Sequence, residues 1–192
     1  MKIGFFGGTF DPPHSGHVRA ASAFADQIRP DRLFIIPNYI SPLKDKAVAP
    51  DEDRMRMCEL AFSSVPGAEV TDREIKAKGT SYTYRTVAAL EREFRGAEIW
   101  MLLGSDSFMS LERWARWRAL LCHCYIAVAM RGNEKPPMLA EKVRTYEMHY
   151  GARISLLHSE PVEVSSTEIR GHRSGLVPQA VAEYIREKGL YE

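Results

Sequence analysis

Five short apolar runs punctuate the chain: Ile3-Gly4-Phe5-Phe6, Leu33-Phe34-Ile35-Ile36, Ile99-Trp100-Met101-Leu102-Leu103, Tyr125-Ile126-Ala127-Val128-Ala129 and Ile154-Ser155-Leu156-Leu157. Between them, apolar residues recur at helical spacing, as Val18, Ala21, Phe24, Ala25 and Ile28, then Met55, Cys58, Phe62 and Val65, then Val87, Leu90 and Phe94. That period predicts amphipathic helices. The short runs are nearly continuous in apolar character, as strands covered on both faces must be. Strands alternating with helices, joined by right-handed crossovers, predict an α/β fold: a doubly wound, Rossmann-like parallel sheet with helices on both faces. In such sheets ligands sit at the carboxyl ends of the strands. No internal repeat or low-complexity tract interrupts the pattern, and residues 131–137, RGNEKPP, read as an exposed loop.

Length and composition narrow the picture further. A chain of 192 residues that is 45% hydrophobic can bury one good core, so residues 1–192 are expected to form a single domain. Lysine and arginine number 26 against 25 acidic residues, a net charge of +1, which gives no global attraction to nucleic acid or to an anionic membrane. An anionic ligand must therefore be caught locally. No apolar stretch approaches the length of a membrane span, and Met1-Lys2-Ile3-Gly4 leads directly into the first run, so a cytoplasmic location is expected. Three cysteines make no disulfide framework. Cys122-His123-Cys124 is too tight and isolated for a zinc site and reads as a buried strand edge.

The chemistry concentrates after the first run, in Gly7-Gly8-Thr9-Phe10-Asp11-Pro12-Pro13-His14-Ser15-Gly16-His17. This stretch lies at a strand's carboxyl end and enters the first helix, with Ser15 a candidate cap and the helix amides turned toward the loop, a place suited to phosphate. It is neither a Gly-x-Gly-x-x-Gly fingerprint nor a lysine-containing phosphate loop. Instead, His14 and His17 stand three apart on one helical face, and Gly16 between them leaves the backbone open to close approach. A glycine- and proline-rich turn carrying two surface histidines is the structural alternative. A second cluster, Val164-Ser165-Ser166-Thr167-Glu168-Ile169-Arg170, fits a capping box from Ser165 to Glu168, and it also suits the grip of a polyphosphate. Both can hold at once.

These two clusters together resemble nucleotidyltransferases with a His-x-Gly-His motif, and within them the bacterial nicotinate-nucleotide adenylyltransferases. Further segments carry the resemblance in family order over nearly the whole chain: PNYISPLK at 37–44, GTSYTYRT at 79–86, LGSDSF at 103–108, LERWARW at 111–117, and the closing VAEYIREKGLYE. Leu43 departs from the histidine more often found before Lys44 in the family. The resemblance implies transfer of AMP from ATP to nicotinic acid mononucleotide, with release of pyrophosphate. It also implies that His14, His17, Lys44 and Arg170 are catalytic, and that Gly7, Gly8, Thr9, Phe10, Gly16, Gly104, Asp106, Ser166 and Thr167 join His14, His17 and Arg170 around ATP. Lys44, Ser81, Tyr82, Thr83 and Trp114 would hold the acceptor, with Trp114 rather than Trp117 stacking on its ring. By the same resemblance Mg2+ arrives with ATP and no protein residue is a dedicated metal ligand, residues from about 160 to 192 form a small helical segment completing the ATP site, and the partners are the two small substrates and, by the family's frequent self-association, a second copy of the chain.

The residue types suit this chemistry. A phosphate monoester has a second pKa near ~6 and is already largely dianionic at neutral pH, so the acceptor needs little help from a base. Repulsion between anions and imprecise in-line placement are what must be overcome, which favours cationic and N–H donors. Position alone makes Trp114 and Trp117 core residues on a helix and Asp106 a helix cap; the resemblance moves Trp114 to the acceptor and Asp106 to the nucleotide hydroxyls. Phosphopantetheine as acceptor and a non-catalytic nucleotide sensor remain the competing readings.

Overall fold

The computed structural model describes residues 1–43, 47–130, 136–158, 165–170 and 176–191. Its described strands are β1 (Lys2–Gly8), β2 (Arg32–Pro37), β3 (Ala68–Val70), β4 (Glu98–Gly104), β5 (Tyr125–Ala129) and β6 (Arg153–Leu157). All pair in parallel in the order β3-β2-β1-β4-β5-β6. The doubly wound α/β expectation therefore holds. The chain winds outward from β1 to one edge and then from β4 to the other, so the loops leaving β1 and β4 diverge and open a crevice at their carboxyl ends.

The alternation of side chains along each strand divides the core between two layers. Phe5, Phe34, Met101 and Ile126 face α4 (Thr83–Glu93), α6 (Trp117–His123) and α7 (Pro136–Tyr150) through Leu90, Leu120 and Tyr146. Phe6, Leu33, Ile35 and Leu102 face α1 (Ser15–Ile28), α2 (Asp51–Phe62) and α9 (Gln179–Lys188) through Phe24, Met57 and Val181. The short helices α3 (Arg73–Ala77), α5 (Ser105–Met109) and α8 (Ser166–Arg170) sit between longer elements. Gly4 is what lets α1 lie so close to β1: a Cβ there would stand 2.4 Å from the Phe24 ring.

Several sequence expectations need correction. The edge strand β3 has three residues, too few to show a pattern. On α2 the core face is carried by Arg54, Met57, Cys58, Ala61 and Phe62; Met55 is only half-buried, and Val65 follows the helix end. Pro136 and Pro137 open α7 instead of closing a loop, since proline's fixed φ suits a first helical turn, while 131–135 lie outside the described residues. Cys124 is buried just before β5, where burial pushes its thiol up to about 12, whereas Cys122 is exposed on α6 and is no part of a buried edge. Among the described residues no helix is long and apolar enough to cross a membrane.

Candidate active site

The loop leaving β1 is held by its neighbours. Asn38 N–H donates to the Gly8 carbonyl (2.9 Å), carrying the β1–β2 pairing one step past the strands, and Phe10 takes a left-handed φ of 49° with its ring buried. The residue that caps α1 is His14, in extended backbone, and Ser15, expected to be the cap, is the first residue of the helix. His14 and His17 cap reciprocally: His17 N–H donates to His14 Nδ1 (3.3 Å) and His14 N–H to His17 Nδ1 (3.2 Å). Each imidazole thus fills the part that Ser and Glu play in the usual box. Their rings stack at 3.6 Å and 23°. Because each Nδ1 accepts, the neutral ring carries its proton on Nε2, an assignment made from the hydrogen-bond pattern. His14 is wholly buried and does not line the cleft, while His17 does, braced by Phe10 at 5.0 Å and Phe6 at 5.8 Å. The spacing of three, read as two groups on one face, has placed His17 on the cleft wall and left His14 buried.

The second cluster comes to this loop as its chemistry suggested. Ser165 and Glu168 form the expected capping box, with Glu168 Oε2 accepting from Ser165 N–H (2.8 Å) and Ser165 Oγ accepting from Glu168 N–H (3.2 Å). Ser166 Oγ donates to the Pro12 carbonyl (2.9 Å), and Arg170 Nη1 donates to the Asp11 carbonyl (2.6 Å). Arg170 Nη2 also reaches Thr167 Oγ1 at 3.3 Å. Helix α8 is so fastened to the loop that leaves β1.

The crevice has two lobes that share Gly7, Gly8, Thr9, Gly104 and Asp106 along their common wall. The larger, about 820 Å³, adds Gly16, His17, Ser166, Thr167 and Arg170, with Arg19 as a further cation, while Arg113 borders both lobes. Phe10 also borders it from beneath His17. The smaller, about 290 Å³, adds Ser81, Tyr82, Thr83 and Trp114. Asp106 stands in the first turn of α5, whose cap is Gly104, so it is not the capping side chain. Lys44 lies outside the described residues.

In the smaller lobe, Ser81 Oγ accepts from Tyr39 N–H (2.9 Å) and Ser81 N–H donates to Ile40 O (2.8 Å), stitching the segment before α4 to the loop after β2. Helix α4 then starts at Thr83 after extended Tyr82, at the lobe's wall, and no side chain caps it; Arg85 N–H donates to the Tyr82 carbonyl (2.8 Å), which leaves the earlier amides of the turn for an outside acceptor. Trp114 ends a 3₁₀ turn in extended backbone and is half-buried beside this lobe; it does not share a helix with Trp117, because Arg116 between them takes a left-handed φ of 56°. Trp117 packs on Tyr146 and Tyr150 in the core. Glu74 also lines the lobe, its carboxylate accepting from Thr86 Oγ1 (2.5 Å); burial pushes its pKa up, opposed by hydrogen bonds from Thr86 and Ser81.

Two buried charges that sequence reasoning missed hold the frame. Arg54 is 0% exposed and donates to Thr9 O (2.7 Å), Asn38 O (2.7 Å) and Asp51 Oδ1 (2.5 Å), locking the β1 and β2 exit loops to α2. Asp11 is 3% exposed and accepts from Val48 N–H, Ala49 N–H and Tyr191 O–H. A signal existed for the first: an arginine at a core position of the stripe with Met57, Cys58 and Ala61 is out of place unless paired. Asp11 lay inside the quoted motif, but a turn aspartate is commonplace and gives no such warning.

Comparison with known proteins bears on this site. The cytidylyltransferase-like family model matches residues 5–172. A protein of Neisseria meningitidis serogroup A, described as a probable nicotinate-nucleotide adenylyltransferase, is 40% identical over 196 residues, covering 100% of this chain and 98% of its own. One of the same description from Aeromonas salmonicida is 33% identical, covering 99% and 97%. In structure, Plasmodium falciparum nicotinic acid mononucleotide adenylyltransferase superposes with a TM-score of 0.80 over 99% of this chain and 96% of that one when complexed with APC; the same score holds when it is complexed with NaAD. Sequence identity there is 15% and 14%, so that likeness speaks to the fold.

Proposed function

We infer that this chain, which belongs to the cytidylyltransferase-like family, is an enzyme that transfers AMP from ATP to nicotinic acid mononucleotide, forming nicotinic acid adenine dinucleotide and pyrophosphate. The observation that carries this is the pairing of full-length relatives of that activity with a two-lobed crevice, one lobe rich in cationic and N–H donors and the other ending on an uncapped helix start beside a tryptophan.

The step is a single displacement. A phosphate oxygen of the mononucleotide bonds to the α-phosphorus of ATP as the bond from that phosphorus to the bridging oxygen breaks, and the electron pair leaves on pyrophosphate. His17 donates from Nε2 to the α-phosphoryl oxygens, and its ring is fixed in advance by His14 and Phe10, so little reorganisation is needed. His14 acts through His17 rather than by contact. Gly7, Gly8 and Gly16 let the backbone approach the phosphates, Asp106 meets nucleotide hydroxyls, and Ser166, Thr167 and Arg170 hold the departing pyrophosphate. Lys44, outside the described residues, is the further cation that the resemblance assigns to the phosphates and the acceptor. Ser81, Tyr82, Thr83 and Trp114 take the acceptor, its carboxylate on the α4 amides and its ring on Trp114. Of the segment from about 160 onward, Ser165, Ser166, Thr167 and Arg170 complete the ATP lobe.

A divalent cation fits here as part of the substrate. Among the described residues no group of three or more His, Cys, Asp or Glu could hold one, and the Asp11 oxygens are taken by protein donors. Phosphate oxygens and water would carry Mg2+, which neutralises charge on the triphosphate. The test is pyrophosphate release from ATP with nicotinate mononucleotide, nicotinamide mononucleotide or phosphopantetheine supplied separately. The nicotinate compound should give the fastest release with a dinucleotide product; release only with phosphopantetheine refutes the assignment.

A further inference from the structure

The carboxylate of Asp11 joins parts of the chain that are far apart in sequence. Its Oδ1 accepts from Tyr191 O–H at 2.7 Å and Ala49 N–H at 3.1 Å, and its Oδ2 accepts from Val48 N–H at 2.8 Å with Arg170 Nη1 at 3.7 Å. Arg170 closes the ring by donating to the Asp11 carbonyl. Four segments thus meet at one buried carboxylate: the loop after β1, the residues just before α2, helix α8, and the chain end after α9. Two of them, the loop and α8, supply walls of the larger lobe, and Ala47 beside Val48 borders it too.

Tyr191 is outside that lobe, and the local sequence is built to deliver it. Tyr184 O–H donates to Asp53 Oδ1 (2.8 Å), pinning α9 to α2. Gly189 then takes the left-handed conformation that ends the helix, with Gly189 N–H on Arg186 O and Leu190 N–H on Ile185 O, and the chain turns back. Tyr191 itself holds a φ of 68°, a conformation a tyrosine keeps only where its surroundings enforce it. Burial and the Asp11 carboxylate both push its phenol pKa upward, so the hydroxyl stays a donor at working pH.

We propose that Tyr191 is a positioning residue for the ATP lobe: its hydroxyl holds the Asp11 carboxylate in the orientation that keeps the β1 loop, the segment before α2 and Arg170 in register around the triphosphate. The Asp11 carboxylate accepts from Val48 N–H, Ala49 N–H and Tyr191 O–H, with Arg170 alongside. Removing one leaves the others able to rotate it, and the walls it joins then shift. This rests on the larger lobe being the ATP site.

The test is Tyr191→Phe, which keeps the ring and removes only the hydroxyl, with Asp11→Asn as its partner. ATP affinity is measured by calorimetry without acceptor, and the KM values of ATP and of nicotinate mononucleotide are measured beside a thermal melt. A hydrogen bond to a charged group corresponds to roughly 10- to 150-fold in an equilibrium, part of which reaches the ligand. Tyr191→Phe should therefore weaken ATP by about 5- to 50-fold while the acceptor KM stays within about 2-fold. In the Asp11→Asn background the same change should cost less than in the wild type, because the amide oxygen that remains for Tyr191 is neutral and the charged acceptor is gone. If Asp11→Asn fails to fold, the tyrosine variant decides alone. Unchanged ATP affinity in folded Tyr191→Phe overturns the proposal, as do equal losses for both substrates. Wild-type protein that binds ATP without transferring AMP would refute the activity and leave this contact to be judged on ATP affinity; failure to bind ATP at all would end both.

Discussion

Replacing His17 separates the chemistry of the site from its scaffolding, and the structure sets the size of each part. In His17→Ala the transferred phosphoryl group loses a preorganised donor, a loss worth about 2.7–4 kcal/mol or roughly 100- to 1,000-fold in rate. The variant also loses half of the reciprocal cap on α1, because His14 N–H no longer has Nδ1 to donate to, and it loses the stack on His14 and the edge contact with Phe10. A cap is worth about 0.5–2 kcal/mol. At roughly 2–4 °C per kcal/mol for a domain of this size, the melt should fall by about 1–8 °C. His17→Gln divides the two effects, since glutamine at this helical position is a good reciprocal cap. Its amide nitrogen, however, lies beside the accepting oxygen, whereas imidazole Nε2 projects from the far side of the ring. It should recover most of the melting temperature and little of the rate. Steady-state turnover with both substrates saturating, paired with thermal melts, reads this out. Near-normal turnover in a folded His17→Ala protein would refute the reasoning and return the histidine pair to a purely structural cap.

Other expectations follow from buried charges and the aromatic pair. Arg54→Met leaves the Thr9 and Asn38 carbonyls and Asp51 without their donor, so chemical denaturation should show a loss of about 3–5 kcal/mol; a loss under ~1 kcal/mol would mean the loops hold themselves. Trp114→Ala should raise the KM of nicotinate and nicotinamide mononucleotide together with little change in the melt, whereas Trp117→Ala, which strips a ring from Tyr146 and Tyr150, should lower the melt and leave KM alone. Glu74 holds its proton to higher pH in the folded protein than in the unfolded chain, so its contribution to stability is complete below the ordinary carboxyl value and is lost as pH rises through the raised one. Glu74→Gln should flatten that part of the stability profile, and melts from pH 4 upward that slope identically in both proteins would contradict it.

The fold was legible because parallel strands buried on both faces write themselves as apolar runs, and the five runs became β1, β2, β4, β5 and β6. The edge strand β3 has one neighbour and three residues, and nothing in Ala68-Glu69-Val70 sets it apart. At the site, residue types located the crevice but not the division of labour. Two histidines three apart look equivalent in sequence; which ring is buried depends on the extended backbone of the cap residue and on Phe10 beneath. Trp114 and Trp117 likewise look like one helical face until the left-handed Arg116 breaks it. Long-range polar contacts were invisible for a simpler reason: the Tyr191–Asp11 bond spans 180 residues, and neither partner is unusual in its local setting.

The acceptor is the acid form of the pyridine mononucleotide, because the smaller lobe ends on the uncapped start of α4 and carries Arg113 on its wall, both able to donate to a carboxylate. The direct measurement is kcat/KM for nicotinate and nicotinamide mononucleotide at saturating ATP. The two differ only in a carboxylate against an amide, and hydrogen bonds to the charged group are worth about 1.5–3 kcal/mol, with an added penalty for amides left poorly paired. The acid should therefore be preferred by roughly 10- to 200-fold. Equal efficiencies, or a preference for the amide, would contradict the account.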